Sequence, residues 1–101
     1  MLRAENPAEA LCGDVKLWLR ISGTALDGEI KQTILAALQD LHMGGVSRPD
    51  PGNALIQQAV KLYCKAQFGY EAESEKYTKA YEHLKQALSL CSDYTGEEEH
   101  G

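Results

Sequence analysis

The sequence predicts an all-α protein, a small four-helix domain whose C-terminal half is a long helical hairpin. Two observations carry that prediction. Apolar residues recur at three- and four-residue spacing in four separate stretches, and the stretches are divided by Ser22-Gly23, Gly44-Gly45 and Phe68-Gly69, the punctuation that ends helices. A chain of 101 residues builds one modest core. Residues 1–95 are therefore assigned to a single helical domain and residues 96–101 to a flexible acidic tail.

The first helix has a start signal at Asn6-Pro7-Ala8-Glu9, with Asn6 as cap and Glu9 placed to reach back to it. Leu11, Val15, Trp18 and Leu19 then mark one buried face. Gly13 interrupts, at about 1 kcal/mol relative to Ala, so Asp14 is a second candidate start; the helix ends near Arg20. Trp18, the only tryptophan, reads as a core anchor. Thr24 is the predicted cap of the second helix, with Asp27 three residues on. Ile30, Ile34, Ala37, Leu38 and Leu41 form its stripe, Gly44-Gly45 its end, and His42 lies on the surface of its last turn.

Residues 44–52 hold Gly44, Gly45, Pro49, Pro51 and Gly52 and read as a loop that redirects the chain. The third helix starts at Asp50-Pro51 or at Asn53. Its seam is Leu55, Ala59, Leu62 and Ala66, widened by Ile56, Val60, Tyr63 and Phe68 to a face buried on two sides, which makes it the central helix. The fourth helix runs from about Ala72 or Ser74 to near Ser92, with Tyr77, Tyr81, Leu84, Leu88 and Cys91 as its seam and Glu75–Lys79 as a surface pair.

Function classes are narrowed mainly by what is missing. Fifteen acids against ten Lys and Arg give a net charge of -5, and four of those acids fall in the last nine residues, so the body is near neutral. No basic cluster is available for duplex DNA, which places a helix-turn-helix DNA binder a distant third among the readings. No catalytic constellation, metal-ligand spacing or cofactor motif is present, and no enzyme, metal or cofactor is assigned. Cys12, Cys64 and Cys91 are an odd set on apolar faces and read as small hydrophobes. No run approaches the roughly 20 apolar residues of a membrane span, so the chain reads as soluble. Tyr63, Tyr70, Tyr77 and Tyr81 read first as a hairpin core whose hydroxyls reach water, and second as amphipathic anchors at a protein interface.

The stretch Leu55-Ile56-Gln57-Gln58-Ala59-Val60-Lys61-Leu62-Tyr63-Cys64-Lys65-Ala66-Gln67-Phe68-Gly69-Tyr70 resembles the head-tail connector, or head-completion, proteins of tailed bacteriophages, also described as DNA-packaging proteins. The similarity resumes at Tyr81-Glu82-His83-Leu84-Lys85 and at Leu88-Ser89-Leu90-Cys91-Ser92-Asp93-Tyr94, and Val15-Lys16-Leu17-Trp18-Leu19-Arg20-Ile21 looks like the family's first helix. The resemblance implies a structural subunit of a phage or prophage, made in the bacterial cytoplasm and ending in the virion at the head-tail junction. It implies a ring of about a dozen copies closed by head-to-tail contacts. The partners implied are the portal protein and a tail-side connector or stopper, with DNA passing through the channel and no sequence-specific nucleic-acid binding. Expected interface residues are Tyr70, Tyr77, Asp93, Tyr94, Glu97, Glu98 and Glu99. The competing reading is a generic helical adaptor or regulatory domain that binds one partner through the third and fourth helices.

Overall fold

A computed structural model describes residues 7–47, 49–68 and 71–95. Its regular structure is entirely helical: α1 Pro7–Leu19, α2 Asp27–Met43, α3 Ala54–Phe68, α4 Glu71–Ser89, and a single turn, α5 Ser92–Thr95. α1 and α2 form one antiparallel hairpin, tied by Lys16–Asp27 at 2.7 Å and Lys31–Glu9 at 2.9 Å. α3 and α4 form the second hairpin, and α3 packs against α1, α2 and α4 alike. The predicted four-helix domain with a C-terminal hairpin and a central third helix is therefore the observed architecture. The cap at Asn6 lies outside the described residues.

Gly13 does not delay α1, which begins at Pro7. The position is exposed, and a Cβ there would meet nothing within 4 Å, so only a propensity penalty acts, which the buried face of Ala8, Leu11, Cys12 and Val15 outweighs. Trp18 is not the core anchor its spacing predicts. The buried stripe of α1 continues through Leu19, which packs on the core, and at 100° per residue this turns Trp18 outward onto α3. Thr24 is not the cap of α2 either. Residues 24–27 form a turn closed by Asp27 N–H to the Thr24 carbonyl, which lays Leu26 against the core and starts the helix three residues later.

The end of α2 follows its prediction in detail. Gly45 N–H donates to the His42 carbonyl and Val46 N–H to the Leu41 carbonyl, a Schellman closure with Gly45 at φ 114° and Val46 fully buried beyond it. A side chain at Gly45 would also stand 3.2 Å from the Ser89 Cβ, so the glycine sets how closely α2's end approaches α4. Of the two starts predicted for α3, Asn53 is the cap: its Oδ1 accepts from Leu55 N–H at 2.9 Å and Ile56 N–H at 3.2 Å. Asp50 instead closes the preceding turn on Gly52 N–H.

The buried stripe of α3 is Ile56, Ala59, Val60 and Cys64. Leu55, expected in the seam, is 45% exposed, because the contacts with α1 and α2 centre the face one residue further along. α4 stops at Ser89 rather than near Ser92. Leu90 and Cys91 bond back three residues, to the Ala87 and Leu88 carbonyls, and this tightening releases the chain into α5. α5 then returns over the loop, where the Tyr94 carbonyl accepts from Ser47 N–H at 2.8 Å.

Candidate functional site

Two places on this scaffold gather polar and aromatic groups. The first is a seam between α2 and α4. Tyr81, 3% exposed, donates its hydroxyl to Asp40 Oδ2 at 2.6 Å, and Lys85 Nζ donates to the same oxygen at 2.9 Å while pairing with Glu82 at 3.2 Å. The Tyr63 ring meets the Tyr81 ring edge-on, centroids 5.1 Å apart. The Tyr81 hydroxyl bond, then Lys85, hold the Asp40 carboxyl below the usual carboxylate range. Burial and the Asp40 bond push the Tyr81 phenol far up, and it stays a donor. Burial alone would lower the Lys85 ammonium, but its bonds to Asp40 and Glu82 outweigh that and raise it. The expectation that the tyrosine hydroxyls reach water thus fails at Tyr81, whose partner is a carboxylate 41 residues earlier.

The second place is a groove of about 320 Å³ lined by Trp18 of α1, Gln58, Lys61, Leu62 and Lys65 of α3, and Tyr77 of α4. The Lys61 ammonium sits over the Trp18 ring, and the Lys65 and Lys76 ammonium groups lie 5.1 and 5.4 Å from the Tyr77 centroid. Burial against the indole lowers the Lys61 pKa, and Asp14 only partly offsets it. The groove residues of α3 repeat at positions 58, 61, 62 and 65, the helical spacing of one face. That stripe is adjacent to the buried one and is visible in the sequence, although the apolar pattern drew attention to the other face.

Of the predicted interface residues, Tyr77 is half-buried in this groove and Asp93 is exposed on α5. Tyr94 is half-buried, packs on the core and points its hydroxyl at Asn53 Oδ1, 3.4 Å away. Tyr77 and Tyr94 therefore stand near opposite ends of α3, roughly 18 Å apart along its axis, and do not share one patch. Tyr70, Glu97, Glu98 and Glu99 lie outside the described residues. Leu17, Met43 and Leu90 are the most exposed large apolar side chains, at 77%, 74% and 80%.

Cys12 and Cys64 are buried, and burial pushes the Cys64 thiol up to about 12, where it carries no thiolate near neutral pH. Among the described residues no three His, Cys, Asp or Glu side chains gather as metal ligands, and no helix is long and apolar enough to cross a membrane.

The fold and these surfaces define a small all-α domain whose polar groups are arranged for contact between helices and along a groove. The family model for phage connector proteins matches residues 12–95, and the chain belongs to that family, which is a family of structural proteins. No curated protein and no solved structure matches the chain.

Proposed function

We propose that this chain is a head-tail connector subunit of a tailed phage or prophage, which forms a ring beneath the portal, extends the DNA channel and presents a platform to the tail-side connector or stopper. The observation that carries the reading is the family match across both helical hairpins. Its location is then the virion, at the head-tail junction, and its mechanism is assembly: each subunit adds a weak contact, and many subunits engaging one portal multiply the affinity. The near-neutral body and acidic C-terminus support a channel lining over which DNA slides without being gripped.

The contact surfaces in this reading are Tyr77 in the groove and, at the other end of α3, Asp93 and Tyr94, with the sequence positions Tyr70, Glu97, Glu98 and Glu99 added to them. Purified chain mixed with portal-bearing heads and imaged by negative stain should show a ring added at the portal vertex. A chain that leaves heads undecorated at saturating concentration would rule out the reading. Isolated subunits that remain monomeric do not bear on it, since the portal is the template for the ring.

A further inference from the structure

The lysines of this protein divide into two groups. Lys16, Lys31, Lys79 and Lys85 each pair with a carboxylate. Lys61, Lys65 and Lys76 form no ion pair with any residue whose side chain is described; Lys61 and Lys65 line the Trp18–Tyr77 groove, and Lys76 lies beside the Tyr77 ring. No carboxylate lines that groove; of the acids nearby, Asp14 of α1 raises the Lys61 pKa, against the larger lowering by burial, without pairing with it, Glu75 pairs with Lys79, Glu82 pairs with Lys85, and Glu73 is exposed. The same chain carries the complementary charge at its C-terminus, where Glu97, Glu98 and Glu99 are consecutive and no Lys or Arg follows Lys85.

We propose that the Trp18–Tyr77 groove receives the acidic C-terminal segment of a second copy, with Glu97, Glu98 and Glu99 set against Lys61, Lys65 and Lys76. The proposal rests on the assembly reading above and names the contact that joins neighbouring subunits. The chain's own segment starts at a distance from the groove. α5 is fastened at the start of α3, through Tyr94 to Ser47 and Asn53, whereas Lys61 and Lys65 lie 8 and 12 residues further on, roughly 12 and 18 Å along the helix. Glu97, Glu98 and Glu99 follow Thr95 by two to four residues and reach at most about 7 to 14 Å when fully extended. By backbone reach alone only the last acid comes level with Lys61, and none with Lys65. A second copy has no such restriction.

Trp18 and Tyr77 make the groove a better receptor than an open lysine patch. The Trp18 ring covers the Lys61 ammonium and Tyr77 lies 5.1 Å from that of Lys65, and a ring that shields one side from water strengthens an ion pair relative to a solvated one. Because the groove of one subunit takes the end of the next, the contact is heterologous and repeats around a ring or filament.

The single tryptophan lies in the groove, so its emission reports occupancy. A peptide of residues 93–101 titrated into the full chain should change Trp18 emission saturably, with affinity falling as salt is raised. Lys61→Glu with Lys65→Glu should weaken binding about tenfold or more. The same loss should follow when the peptide carries Glu97→Gln, Glu98→Gln and Glu99→Gln, a change that cannot disturb the fold of the receptor. A peptide with all three glutamates changed to Lys should regain binding to the charge-reversed chain. Absence of a saturable change, equal binding of the glutamine peptide, or occupancy by an oligonucleotide but not by the peptide would each overturn the proposal. Portal-bearing heads separate it from the connector reading: rings that still form with the Gln-substituted full chain remove the groove contact and leave the connector, while peptide binding without any ring at the portal leaves the groove contact and removes the connector.

Discussion

Lys85 and Lys61 are both half-buried lysines lying against an aromatic ring, yet their surroundings differ in the one respect that decides their roles. Lys85 has Asp40 and Glu82 beside it, and its ammonium is held above the ordinary range. Lys61 lies over Trp18 with no paired carboxylate, and its ammonium is held below it. A desolvated cation with counter-charge is a tie within the fold. One without is a group whose energy improves when an acidic partner arrives, because the partner restores what burial removed. The α2–α4 seam is thus committed to holding this molecule together, whereas the groove lysines have no carboxylate lining beside them.

The largest effect that breaks this contrast is at the centre of the seam. Tyr81→Ala removes a buried ring, its edge contact with Tyr63 and the bond to Asp40 together, and should destabilise the domain by about 3–5 kcal/mol in urea unfolding. That is a large share of the about 5–15 kcal/mol typical of a single domain. Tyr81→Phe keeps the ring and removes only the hydroxyl. It should lose about 1–2 kcal/mol, and a loss as large as that of the alanine variant would show the ring packing to be secondary.

Acid should act on the same link. Asp40 titrates lower in the folded chain than in the unfolded one, so its contribution is complete above the unfolded carboxylate value of about 3.9 and is lost as pH falls through the folded value. The stability advantage of the native chain over Asp40→Asn should therefore be constant near neutral pH and shrink below about pH 4; a gap that widens on acidification would contradict the seam's electrostatics. The sharpest comparison is also the smallest effect. Lys85→Met should cost about 1 kcal/mol, whereas Lys61→Met should fall within about 0.5 kcal/mol of the native chain. Equal losses at the two positions would erase the distinction between a lysine tied into the fold and one held for a partner.

Much of the scaffold is legible in the residues themselves. Helical spacing, the Asn53 cap and the Gly44-Gly45 stop are local signals, read within a single turn of chain, and the structure follows each of them. The same locality explains the errors. Thr24 has the chemistry of a cap and Leu55 the spacing of a core residue, but a turn that seats Leu26 moved the start of α2, and the contacts of α3 with α1 and α2 left Leu55 exposed. The groove was legible only in part. Tyr77 stands out as an aromatic, but its neighbours Lys61 and Lys65 look like ordinary surface lysines until the carboxylates are seen to be elsewhere.

By itself, then, the sequence determined that four helices form and where several of their ends fall, which residues are apolar enough to build one core, and that the last nine residues are acidic. Tertiary structure alone decided that Trp18 faces a lysine instead of the core, that the Tyr81 hydroxyl meets Asp40, and that two lysines share a groove no carboxylate lines. The physical reason is range. A hydrogen bond to the backbone a few residues away is fixed by local geometry, whereas the partner of a side-chain charge is fixed by which helices lie side by side, and that is set by the packing of the whole core.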